Sequence, residues 1–295
     1  MRLRWPGMLR PRRELITRFA ARNFFWLEDA SAPPHVRAVG SLNWKRPMRS
    51  YIQALGLTLP HLYFDVSSFE EIDFESLPES IVIKPANSYD SRGVMLIRGD
   101  KELLTGAFVS RSRLLHFCRE RFDSTYFETE PGIFVEEFLT DYDSRFPIPR
   151  DFKIYVAGGR AWIIEVIDRN GRKEERNHSF YTRDLVKIGD RFQTSYKPGH
   201  KIVRPSFLSD LINAAEQVAR DTMVFCRLDF YITPRGPVFG EFTCSPFDGY
   251  NYTTYGARYL LSLMDSFPDL IPQHWSQAPL RTLPELGPRI LRPWR

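Results

Sequence analysis

An α+β fold is what this sequence predicts, on three observations. Short apolar runs bounded by Gly, Pro and Asn recur in pairs, as hairpins do. Longer stretches carry apolar residues at helical spacing. The two kinds do not alternate in the regular strand–helix–strand order of a parallel sheet. At 295 residues, 43% hydrophobic and 26% charged, the composition is that of a soluble globular protein able to bury a large core in one domain or two. No apolar run approaches a membrane span, and no signal-type apolar stretch follows the first basic residues.

Taken in order, residues 1–43 form a basic N-terminal segment. Its first 22 residues hold seven arginines against Glu14 alone, a net of +6 in a chain whose total is +5. The remainder is close to neutral, so the basicity does not describe a nucleic-acid-reading face, and no nucleic-acid partner is expected. Leu15, Ile16, Phe19, Trp26 and Leu27 recur at roughly helical spacing. That pattern fits a packed helix with a solvated basic face; docking to an anionic membrane or to a partner is the second use open to it. Ala32-Pro33-Pro34 then breaks the chain.

Residues 44–140 and 141–295 are expected to form two further parts. "WKRPMRSYIQALG" reads as a short helix ending at Gly56, followed by an extended stretch from Leu59-Pro60. "IVIKPA" and "GVMLIR" read as a hairpin whose polar tip is "NSYDSRG", residues 111–123 as a helix, and "GIFVEEFL" as a strand. "DFKIYVAGGRAWIIEVIDR" is a hairpin turning at Gly158-Gly159. Residues 206–222 make an amphipathic helix with Leu208, Leu211, Ile212, Ala215 and Val218 inward. After a last hairpin, residues 226–246, the Pro- and Arg-rich remainder is expected to be mostly irregular. Cys118, Cys226 and Cys244 lack metal-ligand spacing and read as free thiols in a reducing cytoplasm.

Chemistry concentrates in "CRLDFYITPRGPVFGEFTCSP". A turn about Arg235 makes residue numbers across the hairpin sum to 470, which sets Asp229 opposite Glu241. Alternation puts Arg227, Asp229, Tyr231, Glu241 and Thr243 on one polar face. Like charges directly opposed are destabilising, so either a hard cation such as Mg²⁺ sits between them, or Arg227 or another base neutralises them in a structural network. Lys84, ending an apolar strand before Ser88, Ser91, Arg92 and Gly93, suits a phosphate; neither the Walker nor the dinucleotide glycine spacing is present. Glu136 and Glu137 lie at a strand end beside Phe138, as a purine ring requires. Asp151 and Lys153 share a strand face, and Arg169 ends the same hairpin.

In this order the segments resemble the ATP-grasp superfamily from about Lys45 to Gly249. They are most similar to the branch associated with teichuronopeptide biosynthesis: "VIKPANSYDSRGV" is similar to its phosphate-loop segment, "FVEEFL" to its adenine hinge, and "GEFT" with Pro246 and Gly249 to its metal-binding ending. The resemblance implies an ATP-grasp fold with nucleotide held between two mixed α/β subdomains. It implies that Lys45 and Lys84 bind phosphate, that Glu136, Glu137 and Phe138 frame adenine, and that Asp151 meets ribose. Arg169 would meet the γ-phosphate as the catalytic arginine, and Asp229, Glu241 and Thr243 would take Mg²⁺. Thr243 stands where most such ligases have Asn, and the phosphate loop holds a single Gly. The implied activity is ATP- and Mg²⁺-dependent joining of a carboxylate to an amine through an acyl phosphate, on a cell-surface glycan precursor, a peptide or another small molecule. A kinase acting on a sugar hydroxyl or carboxylate, or a nucleotide-binding protein without turnover, stays open at this point. Arg150, His178, Tyr181 and Arg183 stand between the nucleotide segments, where acidic substrates could meet them.

Overall fold

A computed structural model describes residues 10–86, 93–122, 132–171, 175–189, 191–195, 197–199 and 201–277. Its elements in chain order are α1 (Arg10–Asn23), α2 (Pro34–Gly40), α3 (Lys45–Ala54), β1 (Leu62–Val66), β2 (Ser80–Pro85), β3 (Met95–Arg98), β4 (Lys101–Glu102), α4 (Leu114–Arg121) and β5 (Ile133–Glu137). Then follow β6 (Asp151–Ala157), β7 (Arg160–Asp168), β8 (Asn177–Thr182), β9 (Lys197–Pro198), α5 (Leu208–Thr222), β10 (Cys226–Thr233), β11 (Gly236–Thr243) and α6 (Thr254–Ser266). The mixed α+β class expected from the sequence is observed. The chain divides into two compact units. The smaller comprises Trp44–Arg46 and Pro60–Phe138. The larger comprises the described residues up to Asn43, Pro47–Leu59, and those from Leu139 onward.

The smaller unit is built on an antiparallel sheet of order β1-β5-β2-β3-β4. Period-2 alternation gives it one apolar face: Ile81, Ile83, Ile97, Ile133 and Val135 pack with Leu114 and Cys118 of α4 and with Phe69 and Phe122. Val82, Lys84, Phe134 and Glu136 fall on the other face by register. The β2–β3 hairpin pairs Ser80 with Arg98 and Ile83 with Met95; of the polar tip expected there, residues 87–92 lie outside the described residues.

In the larger unit the sheet order is β11-β10-β6-β7-β8-β9. All its pairings are antiparallel except β8 with β9. One face, carrying Phe152, Ile154, Ile164, Val166, Leu228, Phe230, Ile232, Phe239 and Phe242, is covered by α5 through Leu208, Leu211, Ile212, Ala215 and Val218. These are the inward positions expected for that helix. On the opposite face Tyr155, Ile163 and Phe180 pack with Leu15 and Phe19 of α1 and with Leu260 of α6. The rest of that face carries charge.

The stretch after the last hairpin, expected to be mostly irregular, holds one long helix. Thr253 caps a helix by accepting from Gly256 N at 3.1 Å, and α6 buries Ala257, Leu260, Leu261 and Leu263. The Pro and Arg density that suggested an irregular tail lies mainly in residues 278–295, outside the described residues. The helix expected at 111–123 opens as a 3₁₀ turn at Arg111–Arg113 before becoming α4.

The basic α1 is a packed helix. Leu15 and Phe19 are fully buried, and Phe19 stacks on Phe225 with centroids 5.9 Å apart. Arg22 is buried, donating to Phe225 O at 2.7 Å and Cys244 O at 3.0 Å and pairing with Asp269. Arg18 pairs with Glu14 and Asp265, so two of the helix's cations serve the fold. Phe19→Ala should therefore lower unfolding free energy by about 3–5 kcal/mol, read from the urea midpoint. An unchanged midpoint would mean that α1 is not part of the folded core.

Candidate active site

The charged face of the larger sheet is ordered by register. Asp229 on β10 lies directly across from Glu241 on β11 and from Lys153 on β6, and Lys153 lies across from Glu165 on β7. Four neighbouring strands thus present, in one row, Glu241, Asp229, Lys153 and Glu165. One row along, Tyr231 faces Asp151; on the other side, Thr243 faces Arg227, which faces Tyr155.

β-Bulges make these rows. The β10–β11 turn is the two-residue Pro234-Arg235, with Thr233 paired to Gly236 and Phe230 to Phe239. Carried on unchanged, that register would set Asp229 against Gly240. The register shifts between Asp229 and Phe230, and the extra residue Gly240 brings Glu241 opposite Asp229 instead. A Cβ on Gly240 would lie 3.2 Å from Tyr231 Cε2 and 3.3 Å from Asp229 O, so the bulge favours glycine. On β7 the register shifts between Tyr155 and Val156, and the extra Trp162 moves Glu165 into line with Lys153.

Asp229 is the centre of the row and is 6% exposed. Arg227 reaches it through Nε to Oδ1 at 2.7 Å and Nη2 to Oδ2 at 3.0 Å, and Lys153 Nζ pairs with Oδ2. Burial opposes ionisation of this carboxyl, but Arg227 and Lys153 outweigh it and hold its pKa below the ordinary 3.8. Arg227 Nη2 also donates to Thr243 Oγ1 at 3.2 Å and lies 4.0 Å from Glu241 Oε2. Glu241 keeps 45% of its side chain exposed. Asp151 pairs with Arg169, and it lies across from Tyr231, whose hydroxyl is kept protonated first by the Asp151 charge and then by burial. Glu165 accepts from Tyr155 Oη at 3.0 Å and lies 3.2 Å from His178 Nδ1.

In the smaller unit Lys84 Nζ meets Glu136 Oε2 at 2.5 Å, Glu136 being buried. Glu137 faces the other way, level with Ile81, and its backbone N–H donates to His61 O at 2.8 Å. Phe138 is buried with the Arg98 guanidinium 4.4 Å from its ring centroid. Lys45 is the first residue of α3. Gly93 is described, at φ +70°, whereas Ser88, Ser91 and Arg92 lie outside the described residues.

Glu241 is opposite Asp229 as expected, but through a turn and bulge the sequence reading did not contain. The alternative role for Arg227, neutralising the acid pair, is also observed at Asp229. Glu165 and the placing of Tyr231 across from Asp151 were missed; the turn at Gly158-Gly159 alone would set Ile164 opposite Lys153, and nothing in the sequence marks Trp162 as an extra residue. The four positions considered for acidic substrates have internal partners. Arg150 is buried against Asp141 at 2.8 Å, Arg183 pairs with Glu216 at 2.8 Å, and Tyr181 Oη accepts from Ile202 N at 3.0 Å. His178 faces Glu165.

The donors Asp229, Glu241 and Thr243 are oxygens, as a hard cation such as Mg²⁺ takes, with two carboxylates to be completed by phosphate oxygens and water. Among the described residues no group of three His, Cys, Asp or Glu is arranged to hold a metal by itself. Two carboxylates and a hydroxyl are a donor set of the kind that such a cation takes.

A family model described as TupA-like ATP-grasp matches residues 35–263. The chain belongs to this family. Membership of the TupA-like ATP-grasp family makes it an ATP-grasp protein. Its backbone is similar to D-alanine–D-alanine ligase from Bacillus anthracis, at 14% identity, with 78% of this chain and 68% of that chain covered and a TM-score of 0.50. D-Alanine–D-alanine ligase from Helicobacter pylori is similar at 14% identity, 78% and 60% coverage and a TM-score of 0.48. The ATP-grasp ligase PsnB, complexed with precursor peptide PsnA2 and AMPPNP, is similar at 14% identity, 77% and 59% coverage and a TM-score of 0.40. The chain thus spans less than two thirds of the Helicobacter pylori ligase's length. Among curated proteins nothing matches. In the TupA-like chain, no helix among the described residues is long and apolar enough to cross a membrane.

Asp229→Asn would leave Arg227 and Lys153 buried beside a neutral amide. A loss of about 3–5 kcal/mol is expected at neutral pH, read from the urea midpoint. Because the native carboxyl is depressed, its contribution is full above the unfolded value near 3.8 and is lost as pH falls through the folded value. Wild type and variant should therefore converge in acid. Stability curves that stay parallel down to low pH would contradict the paired, ionised state of Asp229.

Proposed function

We propose that this chain is an ATP-dependent carboxylate–amine ligase that forms an acyl phosphate, acting on a glycan precursor or peptide bearing a carboxylate, with an amine as acceptor. The observation that supports this most is the row Glu241–Asp229–Lys153 with Arg227 beside it, in a chain of the TupA-like ATP-grasp family. Opposed carboxylates next to fixed cations suit a triphosphate and the cation that accompanies it.

Lys45, Lys84 and Lys153 bind phosphate oxygens, together with Ser88, Ser91, Arg92 and Gly93. Glu136, Glu137 and Phe138 frame adenine, and Asp151 accepts from ribose. Asp229, Glu241 and Thr243 would hold Mg²⁺, which when bound would neutralise phosphate charge. The substrate carboxylate takes the γ-phosphoryl group and ADP leaves. The amine nitrogen then forms a bond to the acyl carbon, phosphate departs, and the nitrogen loses a proton. No covalent enzyme intermediate is needed: positioning and charge neutralisation lower the barrier. ATP use and three unbridged buried cysteines fit a cytoplasmic protein.

Cations gathered at the β- and γ-phosphates favour attack at the γ-phosphorus, so the products should be ADP and phosphate. Phosphate release is measured with a panel of amino acids, peptides and uronic acids, and nucleotides are separated afterwards. Release should require both an acid and an amine. Arg169→Ala should lower kcat at least about tenfold with a smaller change in ATP affinity, because its contact strengthens as charge develops. AMP as product would refute the mechanism, and transfer to a hydroxyl without any amine would make the protein a kinase.

A further inference from the structure

The metal-side carboxylate already has two cations. Both oxygens of Asp229 are engaged, by Arg227 at 2.7 and 3.0 Å and by Lys153 on Oδ2. The same guanidinium lies 3.2 Å from Thr243 Oγ1 and 4.0 Å from Glu241 Oε2. All three candidate metal donors therefore share one built-in cation, and the two carboxylates, Asp229 and Glu241, are matched by the two positive charges of Arg227 and Lys153.

We propose that Arg227 and Lys153 hold this position in the free protein, so that a divalent cation binds there only together with the nucleotide. The inference rests on the nucleotide reading given above and adds an order of assembly to it. A bare divalent cation would meet a carboxylate whose two oxygens are both already engaged and two fixed positive charges at close range, in a largely buried setting where repulsion is strong. A cation arriving with a triphosphate brings a net negative charge. Its phosphate oxygens give Lys153 a new partner at the moment Asp229 is released, so neither group is left buried and unpaired.

The same arrangement occurs twice more. Arg169, expected at the γ-phosphate, is paired with Asp151, expected at ribose. Lys84, expected at phosphate, is paired with Glu136, expected at adenine. In each pair the cation is assigned to the anionic part of the ligand and the acid to its metal, sugar or base, so binding is an exchange of partners rather than the filling of a charged cavity. Arg227 is accordingly a positioning residue acting through Asp229, whereas Lys153 exchanges Asp229 for phosphate.

Mn²⁺ titrated into the ligand-free protein and followed by electron paramagnetic resonance tests this directly. Wild type should bind weakly without nucleotide, and a non-hydrolysable ATP analogue should raise the protein-bound Mn²⁺ fraction sharply. Lys153→Met should bind Mn²⁺ without nucleotide at least about tenfold more tightly than wild type, and adding Asp229→Asn to that variant should abolish the gain. Lys153→Gln, with circular dichroism on both variants, guards against a folding defect; the wild-type comparison with and without analogue needs no variant at all. Equal Mn²⁺ affinity in wild type and folded Lys153→Met overturns the proposal, as does wild-type binding that is as tight without the analogue as with it. An analogue that fails to bind sinks the ligase reading instead, while the variant comparison without nucleotide still reports on Asp229.

Discussion

A buried aspartate clamped between two cations is the constraint on which the larger unit turns. Removing three charges from water is costly, and their mutual attraction offsets this only when geometry is close and fixed. Antiparallel neighbours supply that geometry: Lys153 and Glu241 are the residues directly across from Asp229 on its two sides, and Arg227 is two residues away on the same strand face. The opposite face of these strands is packed by α5, which holds the strands where the charges need them. The apolar face is what allows the charged face to persist.

Two single-residue irregularities decide which charges meet. Without the bulge at Gly240, Asp229 would oppose a glycine and Glu241 would lie out of register with it. Without the bulge at Trp162, Lys153 would oppose Ile164 rather than Glu165. A shift of one residue exchanges the two faces of a strand, so each bulge separates an ordinary hairpin turn from the register the charged row requires. Bulges often sit beside functional sites for this reason.

Much of the fold was legible because apolar periodicity carries it. The inward residues of α5, the alternation in β6 and β10 and the β2–β3 pairing follow from side-chain spacing alone. Asp229 and Glu241 were legible as a pair because both strands and their short turn lie in one stretch of 21 residues. The partner of Lys153 across β7 was not, since a bulge leaves no mark in composition. Nor could sequence distinguish a metal between the two acids from Arg227 beside them. Arg227 and Asp229 are two residues apart on one strand, and whether their side chains join depends on rotamers and burial. The helix α6 was not legible because its apolar residues lie in a tail that is rich in Pro and Arg as a whole.

Anomalous diffraction from crystals grown with Mn²⁺ and a non-hydrolysable ATP analogue would test the charge row most directly. The expected result is a manganese peak bounded by Asp229 and Glu241, with Lys153 turned from Asp229 to phosphate oxygens and Arg169 turned from Asp151. Nucleotide bound with Lys153 and Arg227 still saturating Asp229, and manganese elsewhere, would contradict the assignment of this row as the metal and phosphate site.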